Sequence, residues 1–310
     1  MGSGGWLSFC NDNRIPHRPG SGRKNIEIRC PYCGISDQSK NMGLSLDSTK
    51  WGCWREKDHR GISPAKLIRE LLKCSHSEAM GLARTYFEWN GTFIGRKEDI
   101  SFVSISKPPE FHPFTFNDRN ESHFINYIEN RGLDPEVIAR RFDLHYAMQG
   151  NFSWRLVTPI KFEHRWYTYV ARAISKQDPI RYKACPKEIT TTRPADFLFD
   201  YDNLSGGKLL VVVEGLFDVF KISSTFIPGV HATCLFGKVI TSHQILLLQK
   251  LALKYDKIAI SLDPDAYAGG VQMLINLQWF ISNLIFIPVN TCDWGDKEIP
   301  TIKKELIAHV

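Results

Sequence analysis

The 310-residue chain contains no apolar run approaching the roughly 20 residues that a bilayer-spanning helix needs, and its N-terminus lacks the apolar core of a signal peptide. No membrane association is expected. A cytoplasmic setting, bacterial or in an infected host cell, is expected instead, and sequons such as Asn90-Gly91-Thr92 carry no weight. Internal repeats and low-complexity blocks are missing, which argues against solenoids and disordered tails. A phosphate-cradling P-loop is also missing. Gly237-Lys238 follows an apolar run, but Val239 stands where Ser or Thr is required and Gly229 is wrongly spaced, so no motor ATPase is expected. The eight cysteines lack an oxidising context and read as metal ligands plus buried thiols, with Cys74, Cys185, Cys234 and Cys292 as small apolar core residues.

The excess of +6 in net charge is concentrated. Residues 151–193 carry nine Lys/Arg against three acids, whereas 203–310 carry nine of each sign. Such a basic stretch is either a solvated surface or a groove that tracks phosphates. Hydrophobic residues at 43% provide for a substantial core, and the length suggests two or three domains.

Two segments carry the strongest signals. Leu209-Leu-Val-Val-Val213 and Lys257-Ile-Ala-Ile-Ser-Leu262 are short, β-branched and apolar, as buried strands are. The first runs into Glu214 and Asp218, the second into Asp263 and Asp265. At the carboxyl ends of parallel strands these acids would converge in the crevice where open α/β sheets bind ligands. Four carboxylates gathered there repel one another unless a divalent cation neutralises them, and hard oxygen donors suit Mg²⁺. From 208 onward strands and helices alternate, which predicts a βαβ domain with a mainly parallel sheet. Upstream, Arg155–Ile174 reads as a hairpin turning over Glu163-His164-Arg165, and helices are expected at 121–130 and 135–142.

The first 62 residues read as a metal-held ribbon. Cys30-Pro-Tyr-Cys33 presents two thiolates to one metal; Cys53 and His59 complete a Cys₃His zinc site, with Cys10 and His17 in reserve. Trp51 and Trp54, beside Arg55, Lys57 and Arg60, either stack on bases or cover the metal site. A helix starts at Pro64 with Ser63 as N-cap, and a second spans about 77–89. The expected organisation is a zinc-ribbon domain with trailing helices at 1–92, a linker at 93–113, a basic α+β subdomain at 114–202 and the βαβ domain at 203–310.

In their order, these blocks resemble the bacterial and phage DnaG-type DNA primases. The resemblance runs through Cys30-Pro-Tyr-Cys33, Trp51-Gly-Cys53, the helical stretch Phe124–Ala139, Arg155-Leu-Val-Thr-Pro-Ile-Lys161, Tyr169-Val-Ala-Arg172, Pro179-Ile-Arg181-Tyr182, Val213-Glu214 and Asp263-Pro-Asp265. It implies a multidomain α/β protein with a zinc ribbon and a Toprim catalytic domain, synthesising short RNA primers on single-stranded DNA from ribonucleoside triphosphates. Structural Zn²⁺ and catalytic Mg²⁺ or Mn²⁺ are the implied cofactors. Asp218, Asp263 and Asp265 would hold the catalytic metals, with Glu214 assisting proton transfer or metal positioning. The third acidic element would be Asp293 or Asp296. Arg172, Arg181 and Lys183 would hold the triphosphate, and Tyr182 would stack on a base or pack in the ridge. Arg155 and Lys161 would belong to the nucleic-acid surface, as would Trp51, Trp54, Arg55 and Arg60. The family's ribbon commonly ends in a second CxxC, where this chain offers Cys53 and His59. The compact length suggests a phage or mobile-element version, meeting a replicative helicase in trans. A Toprim-type nuclease and a non-catalytic single-stranded DNA-binding module are the alternative readings.

Overall fold

A computed structural model describes residues 5–20, 22, 24–34, 39–87, 102–289 and 292–310. The chain divides into two compact units, Met1–Phe93 and Ile94–Val310.

The first unit opens with helix α1 (Gly5–Asp12). A five-stranded antiparallel sheet follows in the order β1 (His17–Pro19), β2 (Asn25–Ile28), β3 (Met42–Ser45), β4 (Trp51–Cys53) and β5 (Arg60–Gly61). Its short strands alternate strictly, burying Ile26, Ile28, Met42, Leu44, Trp51 and Cys53 on one face. Helix α2 (Pro64–Leu72) begins as the sequence predicts, with Ser63 Oγ accepting from the Lys66 amide at 3.3 Å and proline at the first position. Helix α3 (His76–Phe87) packs on α1 through Trp6 against Phe87 and Phe9 against Tyr86, with ring centroids 4.5 and 5.4 Å apart.

The second unit combines an antiparallel and a parallel sheet. Strands β6 (His112–Pro113), β7 (His145–Ala147), β8 (Arg155–Phe162), β9 (Arg165–Ala173) and β10 (Tyr182–Ala184) form the antiparallel sheet, and α4 (Ser122–Glu129) and α5 (Pro135–Phe142) lie between β6 and β7 in sequence. The β8–β9 hairpin turns on Glu163 and His164, both in the left-handed region at φ 50° and 61°. That is the conformation a two-residue hairpin loop demands, usually of Asn or Gly. Here the Asp202 carboxylate holds the turn by accepting from both amides at 2.8 Å.

Next come β11 (Gly207–Val213), α6 (Leu216–Ser223), β12 (Val230–Cys234), α7 (Ser242–Ala252), β13 (Tyr255–Ile260), α8 (Tyr267–Leu277), β14 (Leu284–Phe286) and α9 (Ile299–Ile307). The four strands are all parallel, in the order β12-β11-β13-β14, so the two apolar runs lie side by side at the centre. Val211, Val212 and Val213 are fully buried, as expected of strands covered on both faces.

Two expectations need correction. Residues 102–113 are not a free linker: Phe102 packs 4.6 Å from Phe197, the Ile105 amide donates to Trp166 O, and Phe111 is buried against Phe152 and Tyr169. Their sparse but aromatic apolar residues anchor them without helical periodicity; residues 93–101 lie outside the described ones. Second, Cys234 is a fully buried core residue, but Cys74, Cys185 and Cys292 are only partly buried. The residues on either side of 202/203 share one core: Ile128, Phe142 and Leu156 lie in one buried cluster with Val211, Phe220 and Leu306.

Candidate metal centre and carboxylate site

In the first unit Cys30, Cys33, Cys53 and His59 converge, with one ligand atom from each lying within 4.8 Å of all the others. Cys30 and Cys33 flank the turn after β2, Cys53 ends β4, and the Cys53 amide donates to His59 O at 2.8 Å, bringing the imidazole back. Cys33 Sγ lies 3.7 Å from Cys53 Sγ and 3.4 Å from His59 Nδ1, and Cys30 Sγ lies 3.7 Å from the same Nδ1. A tetrahedral zinc ion, with Zn–S of about 2.3 Å and Zn–N of about 2.0 Å, requires edges of roughly 3.5–3.8 Å. The donor set therefore fits zinc in chemistry and size. Lost hydration, followed by the Cys30 and Cys53 sulfurs, pushes the Cys33 thiol up to about 12, a cost that a bound cation would reverse. Cys10, wholly buried in α1, and His17, bonded to Ile15 O, are not part of the cluster.

The two tryptophans separate. Trp51 is buried, donates from Nε1 to Ser63 O at 2.9 Å and stacks on Tyr32, so it belongs to the ribbon core. Trp54 is 67% exposed and borders a shallow groove of about 350 Å³ with Lys50 and Arg60. Arg55 and Lys57 are exposed in the turn after β4.

The second site lies at the carboxyl edge of the parallel sheet. Glu214 directly follows β11, and its Oε1 accepts from the Asp263 amide at 3.1 Å, coupling the two strand ends. Asp218 sits in the first turn of α6, accepting from the Gly215 amide at 3.1 Å and the Gly295 amide at 2.7 Å. Two carboxylate groups form, Glu214–Asp263–Asp265 and Asp218–Asp263–Asp293, each with one oxygen per residue mutually within 4.8 Å. Asp263 belongs to both.

Of the two candidates for the third acidic element, Asp293 joins the group. Asp296 lines the same cavity but lies 3.9 Å from Arg131. The difference arises from a single helical turn, 294–296, which Asp293 caps by accepting from the Asp296 amide. Trp294 fixes that turn by donating to Ser261 Oγ at 2.8 Å.

The acids perturb each other. Burial, then Asp263, pushes the Asp218 carboxyl up to about 7; burial, then Glu214 and Asp293, pushes Asp263 up to about 6. Burial also raises Glu214 and Asp293. The all-oxygen donor set fits a hard divalent cation such as Mg²⁺ or Mn²⁺.

Arg131, Arg172, Arg181, Arg193 and Tyr182 line the same cavity, of about 550 Å³, as Glu214, Asp218, Asp263 and Asp293. Phe217 is held between two guanidinium groups, Arg131 at 4.3 Å and Arg172 at 4.7 Å from its ring. Arg172 Nε donates to Tyr127 OH at 2.5 Å and its other arm to Tyr182 OH, so Tyr182 both packs in the ridge and reaches the cavity.

Other expected residues lie elsewhere. Lys183, alternating with Tyr182 on β10, points away and donates to Asn151 O at 2.9 Å. Arg155 is 1% exposed, paired with Asp178 and donating to Ile180 O at 2.8 Å, so it cannot touch nucleic acid. Lys161 pairs with Asp143 at 2.6 Å and does not line the cavity. Sequence reasoning passed over Arg131, Arg193 and Phe217 as site residues. Arg131 stood inside the quoted helical stretch Phe124–Ala139, Phe217 between Glu214 and Asp218, and Arg193 within the basic stretch.

No protein-family model and no curated protein matches the chain. Solved structures do. The RNA polymerase domain of Mycobacterium tuberculosis primase DnaG superposes with a TM-score of 0.51 at 17% identity, covering 63% of this chain and 77% of that one. A DnaG catalytic core superposes at 0.50 with 20% identity, covering 62% and 75% respectively. The zinc-binding and RNA polymerase domains of Aquifex aeolicus primase match 97% of this chain and 81% of theirs, at a TM-score of 0.49 and 21% identity. Over the 62–63% of the chain that superposes, the fold is that of the RNA polymerase domain of DnaG-type primases.

Proposed function

We propose that this chain is a DNA primase: a DNA-directed RNA polymerase that joins ribonucleoside triphosphates into short primers on single-stranded DNA for phage or mobile-element replication. The observation that carries the reading is the pair of carboxylate groups sharing Asp263, which lines one cavity with four arginines. Carboxylates alone would repel a triphosphate and arginines alone would merely bind it; together they match a metal-bound polyphosphate.

Bound at these carboxylates, Mg²⁺ or Mn²⁺ would lower the pKa of a 3′-hydroxyl and offset charge on the triphosphate. Asp218, Asp263 and Asp293 would hold one ion, and Glu214, Asp263 and Asp265 the other. Arg181, Arg172, Arg131 and Arg193 orient the triphosphate, for which guanidinium forks suit phosphate oxygens. The 3′-oxygen bonds to the α-phosphorus as the bridging oxygen leaves with pyrophosphate. Glu214, half-buried with its carboxyl raised, would assist proton transfer from the hydroxyl or position the metal, and its oxygen not bonded to the Asp263 amide supports either role.

The exposed Trp54, with Lys50 and Arg60, gives the ribbon a face suited to template bases and phosphates. Several of the solved primases with this fold are described as DNA complexes, which supports a DNA partner here. The described residues contain no helix long and apolar enough to cross a membrane; work in the cytoplasm, with a helicase in trans, belongs to the proposal.

The test is labelled-NTP incorporation on mixed-sequence single-stranded DNA with Mg²⁺ or Mn²⁺. Short RNA made by the intact chain and not by Asp263→Asn is the expected result. Template cleavage dependent on Asp263, without synthesis, would replace the primase with a nuclease.

A further inference from the structure

Lys238, set aside in the sequence as a false P-loop lysine, reaches the edge of the carboxylate site. Its Nζ donates to Asp265 Oδ2 at 2.6 Å. The lysine stands on the loop after β12 between Gly237, whose neighbour Phe236 lines the cavity with it, and the 78%-exposed Val239. Gly237 has φ +147°, a left-handed conformation that favours glycine, and no atom stands within 4 Å of where its Cβ would be. We propose that Lys238 is a resident counter-ion of the carboxylate cluster, released from Asp265 when a divalent cation binds there and then engaging the phosphates of the incoming nucleoside triphosphate. The inference rests on the polymerase reading above and adds a lysine from the loop after β12 to the arginines that line the cavity.

Three observations carry it. First, Lys238 is the one lysine that an ion pair ties to a member of the two carboxylate groups among the described residues. Second, the pair is half exposed on the lysine side and 72% exposed on the Asp265 side, so breaking it costs little. Third, an ammonium beside a newly bound dication is repelled, and a flexible four-carbon stem can swing to the nearest anion in the cavity. A nucleoside triphosphate held by Arg181 supplies that anion. While Lys238 remains on Asp265, it competes with the cation for the same oxygen.

The test uses the full zinc-loaded chain and Mn²⁺ as probe, read by loss of the free-Mn²⁺ EPR signal at low ionic strength. Removing a competing unit charge at this distance is expected to make Lys238→Gln bind Mn²⁺ about three- to tenfold more tightly, with Lys238→Arg close to the parent. In dinucleotide synthesis at saturating Mn²⁺, Lys238→Gln should raise the KM for NTP by about tenfold with kcat changed far less, and Lys238→Arg should recover most of that loss. Unchanged or weaker Mn²⁺ binding in Lys238→Gln overturns the counter-ion role, and an unchanged KM overturns the phosphate role. Asp263→Asn separates the levels. If it leaves Mn²⁺ binding intact, the metal site itself is wrong and this inference falls with it. If it abolishes binding while Lys238→Gln behaves as the parent, only this inference fails.

Discussion

The Gly295 amide donates a 2.7 Å hydrogen bond to Asp218 Oδ1, joining the turn after β14 to the first turn of α6. A Cβ there would stand 3.1 Å from that oxygen and 3.3 Å from Phe217 Cβ, so both would have to give way to admit one. Gly295→Ala is therefore expected to displace both the metal-binding carboxylate and the ring clasped by Arg131 and Arg172. Primer synthesis should fall at least tenfold and Mn²⁺ binding should weaken, with about 1–3 kcal/mol of stability lost to overpacking. Parent-like synthesis and Mn²⁺ affinity in the alanine variant would refute the tie.

The acids also set how the metal-free protein responds to pH. Asp218 and Asp263 bind their protons more tightly when folded than when unfolded, at about 7 and about 6 against an ordinary value near 4. A raised carboxyl contributes its stability while protonated and loses it as pH climbs from about 4 to its folded value. With metal chelated, the second unit's melting temperature should decline from pH 5 to pH 8. Asp218→Asn should flatten that decline and gain about 1 kcal/mol at pH 8, since one buried charge is gone, although its amide cannot satisfy both Gly215 and Gly295 donors. The same variant should make no primers. A decline just as steep in the variant would show that Asp218 does not carry the linkage.

The central strands and their acids were legible because β-branched runs of that length, ending in carboxylates, have few other uses. Cys30, Cys33, Cys53 and His59 were legible because thiols need a metal where a polar segment offers little core. Tertiary approach was not legible. Nothing local marks Gly295 as the donor to a carboxylate 77 residues away, and three residues decide between Asp293 and Asp296. Charge was the weakest guide: Arg155 and Arg181 lie in the same basic stretch, yet one is buried in an ion pair and the other lines the cavity. A strand's two faces differ in what they meet, and Lys183 was misplaced relative to Tyr182 for that reason.

Arg155 is now expected to act through structure. It pairs with Asp178 and donates to Ile180 O, holding the segment that leads into Arg181. Arg155→Ala leaves Asp178, which is 30% exposed, with only the Ile180 amide as donor and should cost about 1–3 kcal/mol. Because Arg181 loses its support, the KM for NTP should rise as well. Arg181→Ala should raise that KM while leaving the melting temperature within a degree or two. Equal stability losses in the two variants would contradict this division of roles.

Zinc removal should act on the first unit. Its sheet is built from strands of two to four residues, too short to hold together by pairing alone, and the three thiols and one imidazole close it where the chain returns at His59. Native mass spectrometry should find one zinc per chain. Treatment with a strong chelator should expose 25–61 to protease while the second unit keeps its own thermal transition, since its core is assembled from other residues. Cys33→Ser should reproduce the treated state without chelator, because a hydroxyl at that position gives up the thiolate on which the 3.4–3.7 Å edges of the cluster depend. His59→Cys should retain the metal, restoring four sulfurs around it. A chain that stays protease-resistant over 25–61 after losing its zinc would mean that the ribbon is held by its buried face alone.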